Sequence, residues 1–150
     1  MTTIVASIAH KCMAADAKAT TGLIHFGVYK LRTMPDGSLI GCAGDWGTIL
    51  KFYKFMEWGE DLDDDLDIEA MKLDFTGLHL FDFKSQQFYP IRQKFFAIGS
   101  GAGIALGVMA MGGTPQQAIE AAGHFDEASG PPYDILTLKR RRNATTKNTD

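Results

Sequence analysis

Helical and extended periodicities alternate along this chain in an order that rules out most regular architectures. Short apolar runs at Thr3–Ser7 and Cys12–Ala15 predict two strands. Gly27–Thr33 alternates Val28, Lys30 and Arg32 against Tyr29 and Leu31, and Pro35-Asp36-Gly37 turns it into Leu39–Ala43, a hairpin. From Asp45 the period changes, and Ile49, Phe52, Tyr53 and Met56 form a helical stripe that ends near Gly59. Leu78–Phe83 and Gln87–Ile91 predict a second strand pair around Lys84-Ser85-Gln86, and Phe95–Ile98 continues it. Gly99-Ser100-Gly101 then leads into a methionine-bearing helix that Gly112-Gly113 stops. Thr114-Pro115-Gln116-Gln117 starts another helix, running to about Glu127, with a threonine cap, a first-turn proline and a capping-box glutamine. Tyr133–Leu138 is the last strand. Strands, one helix, strands, two helices and a strand imply helices layered over sheet faces, an α+β fold rather than a βαβ alternation.

The 150 residues suit one domain, taken as 1–138, followed by a polar basic tail at 139–150 that is expected to be disordered. With 45% hydrophobic residues and a net charge of −3, the chain is expected to be a soluble globular protein. No apolar stretch reaches bilayer length, and Lys11 and Asp16 interrupt any secretory signal pattern. Cys12 and Cys42 lie in apolar runs and read as free thiols of a reducing compartment, the cytoplasm. No membrane or nucleic-acid partner is expected.

Several chemistries fail on spacing. Asp61, Asp63 and Asp65 have calcium-loop spacing, but Leu66 replaces the required glycine and Lys72 the closing glutamate. Glycines 99, 101 and 103 miss the dinucleotide fingerprint because Ile104 takes its last position. Ile98 and Ala102 flank Ser100 where a nucleophile elbow needs glycines. His10, His25, His79 and His124 have no metal-ligand spacing.

The start Met1-Thr2-Thr3-Ile4-Val5 carries the remaining chemistry. Removal of Met1 would give Thr2 a hydroxyl nucleophile and a free α-amine, whose pKa of about 7.7–8.0 lets it act as a base near neutrality. With Met1 retained, that amine does not exist. Six segments in order share one catalytic plan: TTIVA at Thr2, AADAKAT at Ala14–Thr20, YKLR around Lys30, IGCAGD at Ile40–Asp45, AIGSGAG at Ala97–Gly103 and DEASG at Asp126–Gly130. Together they resemble the threonine-protease branch of the N-terminal nucleophile hydrolases, the proteasome β subunits and the bacterial HslV peptidase.

The resemblance implies a four-layer αββα sandwich, two antiparallel sheets between helix layers, and a threonine-type endopeptidase subunit. In it Thr2 is the nucleophile, Asp16 and Lys30 the buried ion pair beside it, and the Gly41 N–H the oxyanion donor. Ser100, Asp126 and Ser129 support the threonine. Lys18 and Thr20 flank the cleft, while Ala19, Leu39 and Ala43 line a first specificity pocket for an apolar residue. Carbonyls of Gly123, Asp126 and Ser129 match a structural monovalent or divalent cation site; the chemistry itself requires no cofactor. The implied partners are unfolded polypeptides, a homo-oligomeric ring and an ATPase unfoldase of HslU type. Read singly, Asp16 is also a turn carboxylate, Lys30 a surface lysine, Gly41 a packing glycine, Ser100 a helix cap and Ser129 a helix-ending turn. An amidohydrolase of small amides, or an inactive ring scaffold that retains Met1, remain the other readings. Three features depart from the family: only an acidic loop and a short Ile68–Leu73 segment stand where a second long helix is usual, Asp45-Trp46 replaces small residues, and Pro131-Pro132 follows the Ser129 loop. The Trp46 indole is expected to narrow the cleft or to fill the space of the missing helix.

Overall fold

The computed structural model describes residues 2–63 and 66–139; the tail from 140 onward, Met1 and residues 64–65 of the acidic run lie outside the described residues. Strands β1 (Thr3–Ser7) and β2 (Cys12–Asp16) form a hairpin. Strand β10 (Phe95–Gly99) pairs with β1 and strand β11 (Tyr133–Thr137) with β2, giving an antiparallel sheet of order β10-β1-β2-β11. The second sheet is an antiparallel meander of β5 (Leu31–Thr33), β6 (Leu39–Gly44), β7 (Ile68–Asp74), β8 (Gly77–Asp82) and β9 (Gln87–Pro90). Strands β3 (Lys18–Thr21) and β4 (Ile24–Gly27) make a separate hairpin.

Strand alternation sorts the apolar residues into layers. Ile4, Ala6, Met13, Ala15, Leu39 and Met71 pack between the sheets. Their neighbours Val5 and Ala14 turn outward onto helices α2 (Ala102–Ala110) and α3 (Pro115–Phe125). On the other outer face Ile40, Cys42 and Ala70 meet Ile49, Phe52 and Tyr53 of helix α1 (Trp46–Trp58). Helix, sheet, sheet, helix: this is the four-layer αββα sandwich that the resemblance implied. No helix among the described residues is long and apolar enough to cross a membrane.

The capping box at Thr114 forms, with Gln117 N–H donating to Thr114 Oγ1 (3.2 Å) and Thr114 N–H to Gln117 Oε1 (2.9 Å). Helix α3 ends at Phe125, short of the expected Glu127. Two strand expectations change. The run from Gly27 to Thr33 is not one strand, because Val28 N–H leaves the ladder for the Ala17 carbonyl (2.7 Å) and β5 begins only at Leu31. Ile68–Leu73 is a full strand, β7, with Ala70, Met71 and Leu73 buried at the centre of the five-stranded sheet. The loop after α1 covers that face in place of a second helix. Leu62 is buried there, its carbonyl accepting from Gln86 Nε2 (2.8 Å), over a cluster of Phe52, Phe55, Phe81, Phe83 and Phe88.

Candidate active site

Thr2 enters β1 fully buried, and its Oγ1 has no hydrogen-bond partner among the described residues. A buried hydroxyl without a partner is costly, and a role in chemistry is one of the reasons such a group is kept. The Thr2 carbonyl accepts from Ser100 N–H (2.9 Å), which lays the loop after β10 against the chain start. Gly99 makes this approach feasible: it sits at φ +94°, and a Cβ there would run into the Thr2 carbonyl.

Asp16, at the end of β2, and Lys30, just before β5, form a buried pair with Nζ to Oδ2 at 3.3 Å. The ammonium also donates to the Lys18 carbonyl (2.7 Å). Asp16 Oδ1 accepts from Thr3 N–H (2.8 Å), and Oδ2 from Gly130 N–H (3.2 Å) and Lys18 N–H (3.3 Å). Burial pushes the Lys30 ammonium below its ordinary range and the Asp16 carboxyl above its own. The mutual attraction and the N–H donors of Thr3 and Gly130 oppose that drift and hold the charges in place.

A second polar cluster adjoins the first. Ser100 and Ser129 both donate to Asp126 Oδ2, each at 2.6 Å. Burial is the largest influence on Asp126 and raises it, yet the two hydroxyl bonds together with other donors outweigh it and hold the carboxyl below its ordinary value. Ser129 Oγ reaches Thr3 Oγ1 at 2.7 Å, and Thr3 Oγ1 accepts from Gly101 N–H at 2.9 Å. Of the two serines the resemblance had supporting Thr2, Ser129 meets Thr3 instead, while Ser100 reaches Thr2 only through its main-chain N–H. Alternation is the reason: Thr3 shares the helix-facing side of β1 with Val5, and Thr2 the sheet-facing side with Ile4.

Gly41 does not reach the site. Its residue pairs with Leu31 on one side and Met71 on the other, and a Cβ would lie 2.8 Å from Ile4 Cγ2 and 2.9 Å from Leu31 Cδ2. The Cys42 N–H to Lys30 carbonyl bond (3.4 Å) fixes the ladder parity, so the Gly41 N–H turns toward β7. By the same parity the Gly44 N–H turns to the β5 side. Continuing the register would set it opposite Val28, which precedes β5 and bonds elsewhere. Gly44 is also the cleft glycine, at φ +151° with Ile68 Cγ2 2.6 Å from any added Cβ. Leu39 and Ala43 are likewise corrected: both are buried in the core between the sheets, on the inner face of β6, and neither lines the cleft.

The cleft itself, about 210 Å³, is bounded by Lys18, Ala19, Thr20, Phe26, Lys30 and Trp46, with Gly44 in its floor. Three of the five expected substrate residues thus stand on it. Phe26 carries no signal in the sequence, because hairpin β3–β4 is exposed and without periodicity. Trp46 lines the cleft, the first of the two alternatives expected of it, and also packs on the α1 core. Of the expected cation loop, Gly123 lies in the last turn of α3, and the Asp126 carbonyl accepts from Ser129 N–H (3.1 Å).

No protein-family model and no curated protein matches the sequence. Solved structures do. Eukaryotic HslV from Trypanosoma brucei aligns over 92% of this chain and 99% of its own, with TM-score 0.70 and 18% identity. Thiobacillus denitrificans BPH in complex with epoxomicin aligns over 92% of this chain and 100% of its own, with TM-score 0.65 and 17% identity. Another structure of BPH aligns over 93% of this chain and 99% of its own, with TM-score 0.61 and 19% identity. Layer for layer, and over nearly its whole length, the chain has the αββα fold of HslV.

Proposed function

We propose that the chain is a threonine-type endopeptidase subunit of an HslV-like compartmentalised protease, with Thr2 as nucleophile once Met1 is removed. The observation that carries this is the buried Asp16–Lys30 pair tied to the first strand through Thr3 N–H. A charged ammonium at that position lowers the cost of negative charge on the Thr2 oxygen, and the carboxylate keeps the ammonium from neutralising itself by losing its proton. The α-amine of Thr2 takes the hydroxyl proton, the oxygen attacks the peptide carbonyl, and the same amine returns the proton to the leaving amine. An acyl-enzyme remains, which water hydrolyses. The oxyanion donor on this reading is Gly44 N–H, whose side of the ladder faces the cleft; one such donor typically contributes about 2.7–4 kcal/mol.

Ala19, Phe26, Trp46 and Ile49 give the cleft one apolar side, beside the polar Lys18, Thr20, Lys30 and Asp45, and that side would take one hydrophobic side chain before the cut. A hard cation held by the carbonyls of Gly123, Asp126 and Ser129 would brace the loop after α3, and the reaction takes no step through it. A homo-oligomeric ring in the cytoplasm, fed with unfolded chains by an ATPase of HslU type, completes the proposal. Enclosure limits a peptidase of broad specificity to threaded substrates.

The test is intact mass of the purified protein with reaction toward a peptide vinyl sulfone. Loss of Met1 and a single adduct on Thr2, absent in Thr2→Ala, is the expected result. Retained Met1 with no adduct would leave the inactive scaffold, and hydrolysis of small amides but not peptides the amidohydrolase. Size-exclusion mass reads the ring.

A further inference from the structure

We propose that Thr3, the residue after the nucleophile, is a positioning residue that locks the Asp16–Lys30 pair and the two serine hydroxyls into one frame; this rests on the reading of Thr2 above. Segments from both ends of the domain converge on its atoms. Its N–H donates to Asp16 Oδ1 (2.8 Å), while its hydroxyl accepts from Gly101 N–H (2.9 Å) and meets Ser129 Oγ (2.7 Å).

Asp126 sets the direction of every proton in this network. An ionised carboxylate only accepts, so Ser129 and Ser100 both donate to it. Ser129 has then spent its one proton, and the contact with Thr3 runs from the threonine hydroxyl to the serine oxygen. Each hydroxyl has one donor role and one orientation. Thr3 and Ser129 are buried, at 0% and 2% exposure, so water does not replace a missing partner cheaply.

The glycine at 101 belongs to the same device. A Cβ there would collide with Thr3 Oγ1, so only glycine lets this N–H approach the hydroxyl. Ser100 directly precedes it, and its N–H holds the Thr2 carbonyl. Without the Thr3 hydroxyl, Gly101 N–H and Ser129 Oγ both lose a buried partner. The loop carrying Ser100 then loses its registration against Thr2, and the environment of the Thr2 amine changes.

The experiment compares Thr3→Val, Thr3→Ser and Thr3→Ala with the processed wild type and with Thr2→Ala. It follows kcat, KM and the pH profile for a fluorogenic tetrapeptide with an apolar residue before the cut. Thr3→Val keeps the shape and loses the hydroxyl; kcat is expected to fall about tenfold to a hundredfold, as losing buried hydrogen-bond partners implies. KM stays within about twofold, because no substrate contact is removed. The limb of the pH profile set by the Thr2 amine shifts. Thr3→Ser keeps the hydroxyl and restores both rate and profile. Wild-type turnover and an unmoved profile in Thr3→Val, with Thr2→Ala inactive, would overturn the proposal alone. Turnover in Thr2→Ala, or none in the processed wild type, would overturn the reading of Thr2 and this proposal with it. Where Thr3→Val does not fold, Thr3→Ala against Thr3→Ser decides: equal rates and profiles refute the role, and a slower Thr3→Ala supports it.

Discussion

Tyr53 on α1 donates its buried hydroxyl to the main-chain carbonyls of Lys30 (2.7 Å) and Ile40 (3.1 Å). One side chain thereby ties the outer helix to the two strands that frame the lysine. Arg32 stacks on the same ring, 4.2 Å from its centroid, and pairs with Glu57 on the same helix. Tyr53→Phe keeps the packing and removes the donor. It is expected to destabilise the fold by about 1 kcal/mol, read as a lower urea midpoint, and to slow peptide hydrolysis by loosening the Lys30 main chain.

The ion pair itself gives a two-part outcome. Lys30→Met strands a buried carboxylate and is expected to cost about 3–5 kcal/mol of stability. Adding Asp16→Asn recovers much of that loss without restoring activity. Urea unfolding of the single and double variants, beside their hydrolysis rates, separates the structural part of the pair from its electrostatic part.

Gly41→Ala tests the reassignment of the oxyanion donor. Its Cβ meets Ile4 and Leu31 in the inter-sheet core, and overpacking of this kind costs about 1–3 kcal/mol. The melting temperature is expected to fall while kcat of the folded fraction stays unchanged. A selective loss of kcat would return the donor to Gly41.

Much of this was legible in the sequence because it is periodic or local. The α1 stripe, the Thr114 capping box and the alternating strands fix the layers. Asp16, Lys30 and Ser129 sit in short segments that stand out only together, through their resemblance to a known family; read singly each has an ordinary structural explanation. What was hidden depends on register. Gly41 and Gly44 look alike in a glycine-bearing strand, and only the pairing of Cys42 with Lys30 says which N–H faces the cleft. Thr3 was overlooked for the same reason, since the side of a strand that a threonine occupies is known only once its neighbours are placed. β7 lay behind an acidic run whose charge obscured the alternation of Ile68 and Ala70 against Met71 and Leu73.

Asp126 predicts a pH dependence of stability. Its carboxyl is held below the ordinary value, so its contribution is complete above the unfolded-state pKa of about 3.9 and is lost as pH falls through the folded value. The stability difference between wild type and Asp126→Asn is therefore expected to be constant from neutrality to about pH 5 and to shrink below about pH 4. Urea titrations across that range measure it.

Cleft composition predicts specificity. Trp46→Ala removes one wall next to Phe26 and Ile49, so cleavage after bulky aromatic residues is expected to gain relative to cleavage after leucine. A peptide library read by mass spectrometry records the shift. Cleavage only after acidic or basic residues would contradict an apolar pocket.

Two threonines stand in tandem at the head of β1, yet consecutive side chains project to opposite faces of the sheet. An aminopeptidase that trimmed one residue too many would still expose a threonine, with its own amine and hydroxyl. That hydroxyl would point away from the lysine and into the helix layer, already committed to a serine. On the proposed reading of Thr2, the duplicated residue would offer no spare nucleophile, and removal of Met1 would tolerate no slip in the position of the cut.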